Sequence, residues 1–337
     1  MKPTDFAKSL TDFLSKYLPG ERGMSSNTIQ SYKTTFVLFI TFMEQHASIS
    51  IDKLCLRNIT QERVVQFLDW VQAERKCGDS TRNIRLAALH SFIRYLQYEM
   101  PEHLNEWQRI LSIRVKKTSQ NAIGYLTVEG VKLLLSQPDL STNKGRRDMT
   151  MLSLMYDCAA RVQEVIDLTP AMIRLEKPCT AKIVGKGNKA RIVPLLDMQT
   201  DHLKSYLKEH QLLDRNLNLY PLFSNSRKEK LTRAGVTHIL LQYASMARKQ
   251  EPKLIPDKIS CHTLRHSKAM HLLQAGVNLV YIRDILGHSS VQTTEIYARA
   301  DSKQKREAIE SAYKSVVPKE TPVWLDNSNL LSWLKSF

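Results

Sequence analysis

The sequence predicts a mainly α protein of two domains, an N-terminal helical bundle followed by an α+β domain of helices around a small antiparallel sheet. The length of 337 residues favours two domains over one. Apolar residues recur at helical spacing along most of the chain. One stretch, residues 180–195, breaks that rhythm with two β-prone runs around a glycine-rich turn.

The first helix is read in "FAKSLTDFLSKYL", which aligns Phe6, Leu10, Phe13, Leu14 and Tyr17. "SSNTIQSYKTTFVLFITFMEQH" opens on capping residues and lines up Ile29, Tyr32, Phe36, Phe39, Ile40 and Met43. A third helix starts after Thr60, and a fourth starts at Asp79 or Ser80 with Ile84, Ala88, Phe92 and Leu96 as its buried stripe. Four such helices make a compact bundle over residues 1–110. Lys33, Arg82, Arg85 and Arg94 fall off these stripes and are expected on a charged face that meets phosphates.

Residues 111–121 are basic and polar without an apolar period and are expected to be a linker. The second domain is expected over residues 122–317. It begins with "YLTVEGVKLLLSQ", where Thr127 caps a helix and Glu129 sits in its first turn. "RDMTMLSLMYDCAARVQEVIDLT" reads as two helices meeting around Asp157–Ala160. "AKIV" and "ARIVPL" flank "GKGNK", a hairpin in which Gly185, Gly187 and Asn188 can all take positive φ. Helices follow at about 197–211, 232–249, 263–275, 279–286 and 302–316. In the tail, residues 318–337, Pro318 and Pro322 precede a short helix capped by Asp326, Asn327 or Ser328, with Leu330, Leu331, Leu334 and Phe337 along one side.

The chain carries 49 Lys and Arg against 33 Asp and Glu, a net charge of +16, which favours a polyanionic partner, nucleic acid before an anionic membrane. Residues 1–117 hold 17 basic and 12 acidic residues and residues 118–337 hold 32 and 21, so the excess is spread rather than held in a tail. The N-terminus lacks the apolar segment of a signal peptide, and no run of about 18 apolar residues predicts a membrane span. The five cysteines, Cys55, Cys77, Cys158, Cys179 and Cys261, are odd in number and form no CxxC pair, so they read as reduced and cytoplasmic.

Five stretches of the second domain carry chemistry. "AARVQEV" holds Arg161 and Glu164, "GKGNK" holds Lys186, "HTLRH" puts His262, Arg265 and His266 on one helical face, "LGH" gives His288, and "TEIY" gives Tyr297. His262 and His266 have metal-ligand spacing, but Thr-Leu-Arg between them lacks a glutamate and no third ligand stands out, so neither metal nor cofactor is expected. The whole set suits phosphoryl transfer. Guanidinium groups match the non-bridging oxygens of a phosphodiester and offset the charge of a five-coordinate phosphorus. A tyrosine, with a pKa of about 10, needs a base or a positive surround to attack. A departing alkoxide needs a general acid, which a lysine beside arginines can supply.

These residues resemble the catalytic set of the tyrosine recombinases of the phage integrase and Xer family: Arg, Lys, His-x-x-Arg, His or Trp, and Tyr, in that chain order. The nine residues from His288 to Tyr297 also agree, and the resemblance covers about residues 5–317. It implies a core-binding helical domain ahead of a tyrosine-recombinase catalytic domain. It also implies that Arg161 and Arg265 hold the scissile phosphate, and that His262 assists proton transfer at the tyrosine. His288 would bond a phosphate oxygen, Lys186 protonate the leaving 5′-oxygen and Tyr297 form a 3′-phosphotyrosyl link, with Glu164 orienting the site. On the hairpin, Lys189 and Arg191 join Lys33, Arg82 and Arg85 as expected DNA contacts. The implied partners are a double-stranded DNA site and a tetramer on it formed through the tail, with no membrane partner.

Ala160 stands where the family commonly has Gly, Gln163 where it has Ser, and "HSKAMHLL" departs from the usual His-Thr-Phe-Ala-Thr-His. These differences favour a mobile-element branch over a housekeeping Xer protein. With no arm-binding domain ahead of residue 5, a lambda-like two-site architecture is not expected. Two other readings remain open at this point, a type IB-like topoisomerase and a catalytically silent DNA-binding protein. The target sequence, the cleavage stagger, the accessory factors and the choice among integration, excision and resolution are not encoded in any motif.

Overall fold

The computed structural model describes residues 2–118, 123–300 and 330–336. The chain divides into two compact units, Met1–Asn121 and Ala122–Phe337. Mainly helical units with one small antiparallel sheet are the predicted fold class.

The first unit contains α1 (Asp5–Asp12), which runs on as wider π-helical turns over Phe13–Glu21, then α2 (Ser26–Gln45), α3 (Gln61–Ala73), α4 (Asp79–Glu99) and α5 (Leu104–Leu111). Ser25 and Thr60 cap α2 and α3 by accepting the N–H groups of Thr28 and Arg63. The core is aromatic. Phe13 meets Phe92 edge-on at 5.1 Å between centroids, and Phe36 meets Phe92 at the same distance.

α5 was not expected. Its Trp107 and Ile110 are buried in the same core, and the Trp107 indole N–H donates to the Met100 carbonyl at 3.2 Å. The stripe of α4 also differs from the expected one. α4 packs against α2, α3 and α5, so it buries a wide arc that includes Leu86, Leu89 and Ile93, and Ile84 falls on the remaining arc, 49% exposed. Arg82 lies inside the buried arc at 5% exposure. Part of the expected linker is tied down: Lys116 exchanges two hydrogen bonds with the Asn83 side chain, at 2.8 and 3.0 Å, and its ammonium donates to Gln72.

The second unit starts with α6 (Val128–Leu135), capped by Thr127 as expected. α7 (Asn143–Asp157) and α8 (Val162–Ile166) follow, meeting at Cys158–Arg161. The sheet has the order β1–β2–β3, all antiparallel, with β1 at Ile173–Arg174, β2 at Thr180–Val184 and β3 at Ala190–Pro194. Val184 opposite Ala190 closes the expected hairpin. Gly187 and Asn188 take positive φ, +75° and +57°, whereas Gly185 is extended at φ −100°, ψ −167°, contrary to expectation.

α9 (Asp197–Glu209), α10 (Arg233–Gln250), α11 (Cys261–Gln274) and α12 (Leu279–Leu286) lie close to their expected places, and a short α13 spans Glu295–Ala300. The helix expected at 302–316 and the capping residues of the tail lie outside the described residues. Leu330–Lys335 is helical. A large apolar core holds α6 to α10 and the sheet together. A second cluster joins Ala159, Met270, Leu273, Ile282 and Leu286 to Tyr297, and so fixes α11, α12 and α13 around the tyrosine. Among the described residues, no helix is long and apolar enough to cross a membrane.

Candidate active site

Arg161 stands at the N-terminus of α8, and Glu164 one turn later folds back to accept its backbone N–H at 2.9 Å and its Nη1 at 2.7 Å. Oε2, which accepts that backbone N–H, also accepts Nη2 of Arg191 from β3, at 2.8 Å. Burial pushes the Glu164 carboxyl up, but the Arg191 hydrogen bond and charge, followed by Arg161, more than offset it and leave it below the usual carboxylate range. Arg191 also donates Nε to the Ile285 carbonyl at 2.7 Å, which ties the hairpin to the end of α12. Gly287 ends α12 in the left-handed region at φ +64°, and a Cβ there would stand 2.9 Å from Nη1 of Arg191.

Two residues past α7, Ala159 takes φ +47°, and its carbonyl faces Arg265 of α11. Arg265 donates Nη1 to that carbonyl at 2.7 Å and Nη2 to the Leu286 carbonyl at 2.6 Å. The guanidinium, 3% exposed, is therefore anchored from two loops at once. Burial and the charge of Arg161 lower its pKa to about 10, so it stays charged at neutral pH.

α11 begins at a Ser260–Thr263 capping pair, and its 3.6-residue repeat puts His262, Arg265 and His266 on one side. Tyr297 on α13 is 1% exposed, and its hydroxyl lies 2.9 Å from Nδ1 of His266. Burial pushes the phenol above its ordinary value, against the opposing pull of Arg265 and Arg161. His262 and His266 are both lowered, first by burial, then by neighbouring cations and, for His266, by His262 as well. His288 is lowered to about 4 by burial and by Arg265, Arg161 and Arg191, and its Nδ1 pairs with the Thr294 hydroxyl at 3.0 Å. The histidines are thus neutral donors or acceptors at neutral pH, with Thr294 orienting the ring of His288.

Arg161, Lys189, Arg191 and His288 line one cleft of about 640 Å³, together with Arg283 and the glycines 185, 187 and 287. Lys186 opens the turn of the hairpin whose glycines line the cleft. His262, Arg265 and Tyr297 are not among the residues lining it; Tyr297 is held in an apolar cluster with Ala159, Met270 and Leu286.

The expected DNA contacts divide. Lys33 and Lys189 are exposed. Arg82 is buried, with Nη1 3.4 Å from Asn83 Oδ1, and Arg85 donates to the Ser31 carbonyl and the Thr35 hydroxyl. Arg191 is spent on Glu164 and Ile285. Arg191 and Arg85 turn inward to these acceptors, while the Nε groups of Arg82 and Arg85 are buried without a hydrogen-bond partner among the described residues. Sequence reasoning placed His266 beside His262 and Arg265 but gave it no catalytic role, and it missed Thr294 and Arg283. Thr294 was visible as the polar residue six after His288, and Arg283 only as one more charge.

Residues 125–304 match the phage integrase family, and residues 10–100 match the phage integrase N-terminal SAM-like domain. The chain is 34% identical over 335 residues to "Putative integrase/recombinase y4rC" of Sinorhizobium fredii, covering 99% of each chain. The chain belongs to the phage integrase family. It is also 33% identical over 288 residues to tyrosine recombinase XerD of Staphylococcus epidermidis, covering 85% of this chain and 92% of that one. As a tyrosine recombinase it is a DNA strand-exchange enzyme, and with recombinases and an integrase as relatives the topoisomerase alternative falls away. The fold agrees. A crystal structure of XerH recombinase bound to palindromic difH substrate matches with a TM-score of 0.67 at 24% identity, covering 90% of this chain and 84% of that one. The Tn1549 transposon integrase with transposon right end DNA also gives 0.67, at 14% identity, covering 88% and 97%.

Proposed function

We propose that this recombinase cleaves and rejoins double-stranded DNA at a specific site through a 3′-phosphotyrosyl link at Tyr297, without metal or cofactor, in the service of a mobile element in the bacterial cytoplasm. The observation that carries the reading is that Arg161 and His288 line one basic cleft while Arg265 and Tyr297, outside its lining, lie close enough for the charges of Arg265 and Arg161 to act on both His288 and the tyrosine. Arg161 and Arg265 neutralise the scissile phosphate, and His288 donates a hydrogen bond to one of its oxygens. Lys186 gives a proton to the leaving 5′-oxygen. Glu164 holds Arg161 in place. The phosphotyrosine keeps the energy of the broken bond, so rejoining needs no nucleotide cofactor.

The DNA-bound XerH and Tn1549 structures support a DNA partner for this fold. Lys33 and Lys189 are the exposed lysines proposed to meet its backbone. The tail is proposed to pass between protomers and assemble a tetramer on DNA. A helix as short as Leu330–Lys335 is unstable alone in water and needs a surface to dock on. Deleting residues 321–337 should spare half-site binding and abolish cooperative filling of a full site; unchanged cooperativity would end that part of the proposal.

The main test is to trap wild-type protein on nicked site DNA, map the modified peptide and sequence the attached DNA end. The expected adduct is on Tyr297, and Tyr297→Phe should bind the site normally without forming it. An adduct on another residue, or a normal yield from Tyr297→Phe, overturns the reading.

A further inference from the structure

We propose that His266, rather than His262, takes the proton from the Tyr297 hydroxyl when that oxygen attacks phosphorus. The inference rests on Tyr297 being the nucleophile, as proposed above.

Among the described residues, Nδ1 of His266 at 2.9 Å is the hydrogen-bond partner of the Tyr297 hydroxyl. A phenol can donate or accept; in the tautomer proposed, the ring proton sits on Nε2 and Nδ1 accepts from the phenol. A nucleophile in contact with a neutral imidazole nitrogen is the arrangement that activates hydroxyls in covalent catalysis. His262 is one helical turn away on the same face, with its ring centroid 6.3 Å from that of His266. The groups facing His266 are His262 and Arg265 on its own helix, Tyr297 on α13 and His288 beyond α12. Burial first, and then His262 and Arg265, keep the imidazole unprotonated at neutral pH and ready to accept.

The step balances. The phenol proton moves to Nδ1, giving an imidazolium. The phenolate oxygen forms the new O–P bond, the P–O5′ bond breaks, and the 5′-oxygen leaves with the proton assigned to Lys186. In rejoining, the 5′-hydroxyl attacks and gives its proton back to Lys186, the O–P bond to the tyrosine breaks, and His266 returns its proton to the departing phenolate.

The test compares wild type with His266→Asn and His262→Asn on a nicked site substrate. Asn places an acceptor near the position of Nδ1 but cannot hold a proton. Adduct formation by His266→Asn should fall by roughly 10²–10⁴ at neutral pH, the usual worth of general base catalysis. DNA binding should stay normal. The wild-type rate should be level above neutrality, while the His266→Asn rate climbs about tenfold per pH unit as the phenol ionises unaided. A bridging 5′-sulfur should not rescue it, because the missing proton transfer is at the nucleophile. Three results overturn the proposal: a His266→Asn rate equal to or faster than wild type, a loss with a pH profile parallel to wild type, or the altered profile in His262→Asn instead. If the wild-type adduct maps away from Tyr297, the reading of the nucleophile fails first. If it maps to Tyr297 and His266→Asn is normal, only the role of His266 fails.

Discussion

Replacing Glu164 by Ala leaves two guanidinium groups facing a vacated site. The Arg191 side of the interaction is almost fully buried, with side-chain exposures of 9% and 4% for the two partners. Removing one partner of such a pair costs about 3 kcal/mol or more, because the remaining charge stays desolvated. The Arg161 side is 32% exposed and screened by solvent, and adds at most about 1 kcal/mol. The sum is about 3–4 kcal/mol, or a fall of about 6–16 °C in the Tm of a unit of roughly 200 residues. Glu164→Gln keeps an acceptor without the charge and should lose about half as much. The pH dependence has a definite sign. Because the folded carboxyl is depressed, its contribution is full above the ordinary value near 4.3 and is lost as pH falls through the depressed value. The gap between wild type and Glu164→Gln in thermal melts should therefore be widest near pH 7 and close on acidification below about pH 4. A loss below about 1 kcal/mol for Glu164→Ala at pH 7, or a gap that ignores pH, would refute this account of the carboxylate.

Lys186→Ala should cleave ordinary DNA very slowly and recover most of its rate on a substrate with sulfur at the bridging 5′ position, whose leaving group needs no proton; equal defects on both would assign Lys186 to positioning instead. Gly287→Ala forces a side chain into left-handed backbone and against Arg191, and should cost about 1–2 kcal/mol in melts. Combined with Glu164→Ala its cost should be less than additive, since both disturb Arg191; full additivity would mean the contact carries no coupling. Site binding should weaken steeply with salt, by about 0.9 in the slope of log K against log salt for each phosphate met, and a slope near zero would exclude a backbone clamp.

Local chemistry made much of this molecule readable in advance. Thr127 caps α6, "GKGNK" turns the hairpin, and α7 gives way to α8 at Cys158–Arg161, because each feature depends on neighbours a few residues apart. Ile84 and Arg82 were misplaced because a helix flanked by three others buries more than one stripe, and periodicity alone does not count its neighbours. Arg191 looked like a surface cation because sequence shows its charge but not Glu164, 27 positions earlier, waiting for it. The catalytic residues stood out through their resemblance to a family pattern. The contact of His266 with Tyr297 spans 31 residues and exists only once α11 and α13 pack.

The side chain of Arg191 occupies space that three separate chain segments leave for it. Glu164 supplies the charge, Ile285 the carbonyl, and Gly287 the missing methyl. Such a fit restricts the paths by which the sequence can drift. A shorter cation at 191 abandons one acceptor, a neutral residue strands the carboxylate, and any side chain at 287 crowds the guanidinium. Each single step passes through a damaged protein, so these positions are expected to be inherited or replaced as a set. Grafting this hairpin onto a related recombinase would therefore have to carry residues 164 and 287 along with 191.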